Sequence, residues 1–297
     1  MHKSLIPILF SLIFLNTGEE PPLKLIDEQK KIIAELSGHS KLENGKTISS
    51  RSTKEERQLT REYLSNLIAS TGLKPQVQEY KLPNVNPLVD LLFEPFAGAN
   101  VYTILPSTNQ SDDYIVFGAH FDTERNCPGA IDNATGIAIG YGLIEKLIDV
   151  KERNVNVILV FFDQEEEDLI GSQAFAKKLK KEKFKILSVH TMDTMGWDRD
   201  EDSAIELELP TNYLKDIYIK TGKRLGIPIY TTKVNSTDHH SFRELGFNAT
   251  GLTDELVNGD YAPYKDTAKD TYETVNFNYV ASCTELVYEV AKTLIEQ

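Results

Sequence analysis

Near its middle the chain reads Tyr-Ile-Val-Phe-Gly-Ala-His-Phe-Asp, from Tyr114 to Asp122. The apolar part of this run is bounded by polar residues, which predicts a buried β-strand over 114–119. Two later runs, Val155–Phe162 and Ile186–Thr191, have the same apolar character between polar turns. The three runs therefore predict three buried strands.

Helical patterns lie between these strands. Thr135–Ile148 follows the first strand, and Ser172–Lys183 follows the second. Strands and helices that alternate in this way form right-handed parallel crossovers within one sheet, and a parallel sheet is buried on both faces. The pattern predicts an α/β fold whose sheet is covered by helices on both faces.

Two more helices are predicted towards the ends of the chain. Ser52 and Glu55 have the spacing of a capping box, and apolar residues then recur at helical intervals until Gly72. Ser282–Ile295 has the pattern of a closing amphipathic helix. The chain has no internal repeat and no long linker, so we expect one continuous domain.

The composition is that of an acidic globular protein. The 297 residues include 32 Lys plus Arg against 45 Asp plus Glu, a formal charge of -13, and 40% are hydrophobic. Such a charge repels phosphate backbones and anionic lipid, which argues against binding to nucleic acid or to a membrane surface. Cys127 and Cys283 are too few for a disulfide scaffold or a thiolate zinc site, although the sequence leaves open whether they pair. A metal site would therefore use histidine and carboxylate ligands.

The first eighteen residues differ from the rest of the chain. Lys3 precedes an eleven-residue apolar run, Leu5–Leu15, and two acidic residues follow at Glu19 and Glu20. The run is too short for a transmembrane helix, which needs about 20 residues. It predicts a secretory signal peptide over 1–18, a single domain over 19–297, and a secreted or periplasmic protein without stable membrane insertion. A buried N-terminal helix is the alternative.

Ligands of open α/β sheets bind beyond the carboxyl ends of the strands. The first predicted strand ends in His120 and Asp122, whose alternate positions point both side chains to one side. The second ends in the acidic run Glu165–Glu167 and the third in Asp193, while Asp132 opens the helix after the first. All of these residue types bind divalent metals.

Each feature has a structural alternative when it is taken alone. His120 and Asp122 have the spacing of a surface pair, Asp132 that of a helix N-cap, and Glu165–Glu167 that of a solvated charge run. His190, within the third strand, fits a core histidine. Because the other features follow successive strands of one sheet, a shared metal site is the better interpretation.

The segments around these positions resemble, in order and spacing, the motifs of the family-28 metallopeptidases, the group of the bacterial di-zinc leucyl aminopeptidases. The resemblance covers roughly residues 50 to 295. The matching segments are Gly118–Asp122, Gly129–Gly136, Glu165–Ser172, Met192–Asp193, Thr237–Phe242 and Glu255–Thr271.

The resemblance implies a zinc-aminopeptidase-like fold with a mixed, mostly parallel central sheet. It also implies two divalent metal ions, with zinc expected, that are bridged by Asp132. His120 and Asp193 would complete one site, and Glu166 would serve the other.

The implied activity is that of a metallo-exopeptidase acting on peptides with a free N-terminus. Glu165 would be the general base, and Asp122 would hold the tautomer of His120. A free substrate ammonium would be attracted by the surplus negative charge of the chain.

The sequence departs from the family pattern at two places. The last metal ligand of the family is a histidine in a His-Thr-x-x-Asp-Thr motif, and Asp266 stands at that position. A site of Asp132, Glu166 and Asp266 is entirely carboxylate, which favours a weaker or harder metal ion than zinc.

The second departure lies before Asp238, where the leucyl aminopeptidases place a tyrosine that stabilises the transition state. This chain has no tyrosine there. The resemblance leaves that role to His239, His240 or Tyr230, and His239 fits a packing role equally well.

Three functions remain open on the sequence. The short segment Glu165–Ser172 favours a secreted aminopeptidase, whereas the run Phe161–Glu166 is also similar to the glutaminyl cyclases, acyltransferases on the same fold. A catalytically silent binding protein is the third, and the intact Glu165 argues against it.

Overall fold

The structure is a computed structural model that describes residues 23–82 and 96–297. The predicted signal peptide, residues 1–18, lies outside the described residues. The helices within them are α1 (Leu23–Leu36), α2 (Lys54–Ser70), α3 (Thr135–Ile148), α4 (Ile170–Lys181), α5 (Asn212–Leu225), α6 (His239–Glu244) and α7 (Phe277–Ile295). The strands are β1 (Gln76–Leu82), β2 (Phe96–Leu105), β3 (Asp113–His120), β4 (Asn156–Phe162), β5 (Lys185–Met192), β6 (Ile205–Glu208), β7 (Ile229–Thr232) and β8 (Ala249–Thr253).

The strands form one mixed sheet in the order β1-β2-β4-β3-β5-β8-β6-β7. Strand β3 runs parallel to β4 on one side and to β5 on the other, and β5 pairs in parallel with β8. The pairs β1–β2, β2–β4 and β6–β8 are antiparallel. The three strands predicted from the apolar runs thus lie side by side in the middle of the sheet, and their carboxyl ends meet at one edge.

Helices cover both faces of this sheet, as predicted. On β3, Ile115 and Phe117 pack into a core with residues of α1, α3 and α7, whereas Val116 packs into a second core with residues of α4 and α6. Successive side chains of a strand point to opposite faces, so one strand contributes to both cores. This burial fixes the position of the residues that follow β3.

The predicted start of α2 is wrong by one residue. Thr53, rather than Ser52, is the N-cap, and its side chain accepts a hydrogen bond from the N–H of Glu56 at 3.3 Å. The Glu56 carboxylate in turn accepts the N–H of Thr53 at 2.9 Å, so the box is formed by Glu56 and not by Glu55. Thr53 has the extended backbone that an N-cap requires, which decides between the two spacings.

Two further points follow from the fold. Cys127 and Cys283 are both buried and free. Among the helices of the described residues, none is long and apolar enough to cross a membrane.

Candidate metal centre

His120 lies at the carboxyl end of β3, where its imidazole is buried among acidic side chains. Its Nε2 atom lies 3.0 Å from Oδ1 of Asp132 and 3.3 Å from Oδ1 of Asp193. Its Nδ1 atom faces the backbone carbonyl oxygen of Asp122 at 3.2 Å. One ring nitrogen is therefore held by the backbone while the other faces two carboxylates, as expected of a metal-binding histidine.

Asp132 lies in a short turn, Ala130–Ala134, that leads into α3 and whose backbone is not helical at Asp132 and Asn133. The carboxylate of Asp270 accepts the N–H of Ile131 at 2.8 Å and the N–H of Asp132 at 2.9 Å. Asp270 is fully buried. This buried acceptor fixes the backbone of the turn and thereby the position of the Asp132 carboxylate beside His120.

A second set of contacts ties the same turn to the end of β5. The side-chain amide of Asn133 donates to the carbonyl oxygen of Met192 at 2.8 Å, and its oxygen accepts the N–H of Gly136 at 3.0 Å. A Cβ atom at Gly136 would lie 2.4 Å from that oxygen, so the close approach requires glycine. Because Met192 precedes Asp193, these bonds link the turn to the next acidic residue.

The carboxylate of Asp122 holds the acidic turn that follows β4. Its two oxygens accept the N–H of Glu165 at 2.9 Å and the N–H of Glu166 at 3.2 Å. Its Oδ1 atom lies 3.6 Å from Nδ1 of His120, which is longer than a hydrogen bond. Asp122 therefore contacts His120 through its backbone carbonyl and orients the two glutamates through its side chain.

The ligand atoms of His120, Asp132 and Glu166 lie within 4.8 Å of one another. The Oδ1 atom of Asp132 is buried without a hydrogen-bond partner, although it lies 3.0 Å from the His120 ring. The two atoms approach each other without the alignment of a hydrogen bond, as expected when both point at a shared cation. An imidazole among carboxylates is a donor set that fits a divalent ion such as zinc.

The charges of this cluster depend strongly on one another. Burial favours the neutral form of His120, but the negative charges of Glu165 and Asp193 raise its pKa well above the ordinary value. Burial raises the pKa of Glu165 well above its usual range, and burial with repulsion from Asp132 raises the pKa of Glu166 to about 9. Burial opposes ionisation of Asp132 too, yet His120 holds its pKa below the ordinary value. A divalent cation would neutralise this excess of buried negative charge.

The two remaining predicted ligands are placed differently. Asp193 follows β5 and is buried against His120. Asp266 is exposed and has a φ of 62°. The three ligand atoms that lie within 4.8 Å of one another include neither Asp193 nor Asp266. Its charge still adds to the repulsion that raises the pKa of Glu166. The structure thus places Asp193 inside the cluster and Asp266 at its rim.

Arg51 holds the loop between His120 and Asp132, and the sequence patterns did not predict it. Its side chain is fully buried and donates hydrogen bonds of 2.5 to 2.8 Å to four carbonyl oxygens, those of Leu36, Phe121, Pro128 and Gly129. One cation thus fixes the backbone between two ligands. A lone arginine in a charged stretch has no signal that separates it from surface arginines.

Lys265 is a second residue that sequence reasoning missed. Its Nζ atom lies 3.5 Å from Oδ2 of Asp132, the oxygen that does not face His120. Its place directly before Asp266 is the one signal that could have drawn attention to it. The structure therefore adds a lysine to a cluster that was predicted to contain one histidine and several acids.

His239 lies near the cluster on α6 and is fully buried. Its Nδ1 atom lies 2.9 Å from the Thr237 hydroxyl and 3.3 Å from the Glu208 carboxylate, and its Nε2 atom has no hydrogen-bond partner. Burial, with the positive charge of Arg243, lowers its pKa to about 4, so the ring is neutral at pH 7. Of the other two candidates, His240 is partly exposed beside Glu244, and Tyr230 is exposed on β7.

Within residues 23–82 and 96–297 there are two other groups of acids, mostly exposed or partly exposed, and neither contains a histidine. They are Asp198, Asp200 and Asp260, and Asp200, Asp202 and Glu255. The Asp260 carboxylate accepts hydrogen bonds from the Trp197 indole at 2.8 Å and from the N–H of Arg199 at 2.7 Å. Asp260, in the loop after β8, therefore fixes the loop that follows β5.

Comparison with known proteins agrees with this geometry. The model of peptidase family M28 matches residues 100–291. Aminopeptidase YwaD of Bacillus subtilis is 23% identical over 197 residues, which are 63% of this chain and 43% of that protein. The chain thus matches less than half the length of this curated relative.

Solved structures share the fold over nearly the whole chain. The zinc aminopeptidase BSAP from Bacillus subtilis superposes with a TM-score of 0.80 at 14% identity, covering 94% of this chain and 97% of that one. Glutaminyl cyclase from Porphyromonas gingivalis gives a TM-score of 0.74 at 14% identity, covering 91% and 98%. These likenesses confirm the predicted zinc-aminopeptidase-like α/β fold.

Proposed function

Because the chain belongs to peptidase family M28, we propose that it is a metal-dependent aminopeptidase that removes residues from the N-terminus of peptides. The convergence of His120, Asp132 and Glu166 at one edge of the sheet is the observation that carries this proposal. The curated relative named an aminopeptidase and the shared fold of a zinc aminopeptidase support it. The predicted secretion rests on residues 1–18 alone and remains a prediction.

The proposed centre holds two divalent ions, with zinc expected. His120, Asp132 and Asp193 would hold one, and Asp132, Glu166 and Asp266 would hold the other more weakly. When bound, such ions polarise a carbonyl group and lower the pKa of water towards about 7. The orphaned Oδ1 atom of Asp132 and the imidazole that faces it support the first site.

Glu165 is the proposed general base. Its carboxyl group lies among His120, Asp193 and Asp238, whose charges act on it, and burial raises its pKa. A raised pKa suits a group that takes a proton from water and then gives it to the leaving amine. Asp122 fixes the Glu165 backbone at 2.9 Å, so the base is held in place by the residue that also contacts His120.

The charge of the site favours an exopeptidase. The buried carboxylates of the cluster present negative charge to the free ammonium of a peptide N-terminus, which an acetylated peptide lacks. An endopeptidase cleaves inside a peptide chain and does not need to attract a free N-terminal ammonium. Unblocked peptides are therefore the proposed substrates.

A glutaminyl cyclase is the second candidate, favoured by the fold that the chain shares with the Porphyromonas gingivalis enzyme. The two activities give different products, since a cyclase acting on a Gln-initiated peptide releases ammonia and an aminopeptidase acting on leucine amide releases leucine. A silent binding protein would release neither.

The experiment compares both substrates with the purified protein, with and without a chelator. We expect chelator-sensitive release of leucine, and we expect Glu165→Gln to lower kcat by about 100- to 10,000-fold. Glu167→Gln is the matched control, because Glu167 is the exposed neighbour in the same acidic run. Release of ammonia without leucine would replace the proposal with the second candidate, and full activity of Glu165→Gln would remove the general base.

A further inference from the structure

Lys265 brings a fixed positive charge to the carboxylate shared by the two proposed metal sites. Its Nζ atom lies 3.5 Å from Oδ2 of Asp132, while Oδ1 of the same carboxylate faces Nε2 of His120 at 3.0 Å. The two oxygens therefore have different partners. One faces the imidazole of the first site, and the other faces an ammonium group.

Other acidic side chains around Lys265 also favour its position beside Asp132. The negative charges of Asp132, Asp193, Asp266 and Glu165 all attract its ammonium group. The side chain is 46% exposed, so it reaches into the cluster from the rim and can leave it without unfolding the core. Asp266, the residue aligned with the missing histidine ligand, is its neighbour in the chain.

The other cations near the site point elsewhere. Arg51 donates to backbone carbonyl oxygens, and Arg57 pairs with Asp163 at 2.8 Å. Of the lysines and arginines in residues 23–82 and 96–297, only Lys265 places a side-chain nitrogen within 4.0 Å of a carboxylate oxygen of the predicted ligands. The contact therefore belongs to this residue and not to a generally basic rim.

We propose that the Lys265 ammonium competes with the second divalent ion for Oδ2 of Asp132. The chain would then hold one ion tightly, with His120, Asp132 and Asp193, and a second ion weakly. Two cations that share one carboxylate oxygen repel each other, and a cation tethered to the chain is always present at high local concentration. The inference rests on the metal centre of the proposed function, and it names the residue that makes the centre asymmetric.

The test measures metal binding directly and does not depend on turnover. Chelator-treated protein is dialysed against graded concentrations of Zn²⁺, and bound zinc is counted by elemental analysis. The wild-type protein should bind one ion tightly and a second weakly. In Lys265→Met, which keeps an unbranched side chain only one atom shorter and removes its charge, the Kd of the second ion should fall by about tenfold or more.

Two variants separate local competition from a change in overall charge. Lys269→Met makes the same change in net charge in the same loop, where the Lys269 ammonium lies over the Tyr264 ring at 5.9 Å. It should leave both Kd values unchanged. Lys265→Arg keeps the charge and should keep the second ion weak.

Equal tight binding of two ions by the wild-type protein and by Lys265→Met would overturn the inference. An equal gain of affinity in Lys269→Met would also overturn it, because the effect would then come from net charge. If binding follows the prediction but neither leucine nor ammonia is released, the proposed function fails while the competition stands. If leucine is released but Lys265→Met binds zinc as the wild type does, only the competition fails.

Discussion

His120 and His190 are both buried on neighbouring strands of the sheet, and their environments are opposite. His120 ends β3 beside carboxylates, which raise its pKa against the effect of burial. His190 lies within β5, where its two nitrogens contact the hydroxyl groups of Tyr218 at 3.0 Å and Ser188 at 2.9 Å. With no charge nearby to compensate, burial lowers the pKa of His190 to about 3.

The difference shows that the position of a histidine along its strand decides which groups surround it. A residue inside a parallel strand is covered by helices on both faces, so a histidine there needs neutral partners, and the Phe117 ring stacks on His190 at 4.6 Å. A residue at the carboxyl end of a strand meets the loops that follow neighbouring strands, which here bring acids. Burial alone therefore does not distinguish a metal ligand from a core residue.

The largest expected effect separates the two histidines by their metal affinity. His120→Asn should weaken binding of the tight zinc ion by more than about 100-fold, the upper range for loss of a group that merely supports a ligand. His190→Asn should leave zinc affinity unchanged while it lowers the midpoint of thermal unfolding. Equilibrium dialysis and a melting curve measure both quantities, and an equal loss of zinc affinity in the two variants would contradict the comparison.

The next prediction concerns the pH dependence of stability and follows from the lowered pKa of His190. The unfolded chain binds a proton at this residue near pH 6.5 and the folded chain near pH 3, so the stabilisation is complete above about pH 6.5 and is lost as the pH falls. The free energy of unfolding of the wild type should approach that of His190→Asn by about 1.4 kcal/mol per pH unit between these limits.

Urea unfolding at pH 7, 6 and 5 measures this difference. A difference between the wild type and His190→Asn that stays constant over these pH values would mean that His190 does not stay neutral in the folded protein.

The smallest expected effects come from replacing one supporting residue near each histidine. Asp270→Asn removes the charge that fixes the Asp132 turn and should weaken zinc binding by about tenfold or more. Ser188→Ala removes a partner of His190 and should cost about 1 kcal/mol of stability without changing zinc affinity. Parallel zinc titrations and unfolding curves decide the matter, since a zinc effect of Ser188→Ala would place His190 within the metal centre.

Much of the central sheet could be predicted because its signal is local. The apolar runs predicted β3, β4 and β5 to within about one residue at each end, and the helical pattern predicted Thr135–Ile148 with the bounds of α3. Strands β1, β2, β6, β7 and β8 were not predicted. Their pairing is long-range, and the two edge strands, β1 and β7, carry less apolar patterning.

The candidate site shows the same difference between local patterns, which could be predicted, and long-range contacts, which could not. His120 and Glu166 could be predicted because each lies at or after the end of a strand, and Asp132 because it opens the helix after β3. Each lies in a recognisable motif, and the structure brings their ligand atoms together. Asp122 also occupies the centre, but its contact with two backbone N–H groups could not be read from spacing. Lys265 was missed because its partner lies more than a hundred residues away in the chain.

Arg51 limits how far the chain can be shortened without disturbing the candidate metal centre. The segment that matches the family, residues 100–291, contains every proposed ligand but not Arg51. A fragment trimmed to that segment would leave the carbonyl oxygens of Phe121, Pro128 and Gly129 without their hydrogen-bond donor. The loop between His120 and Asp132 would then lose the contacts that fix its backbone. The smallest unit able to assemble the centre therefore includes residues that contribute nothing to the chemistry itself.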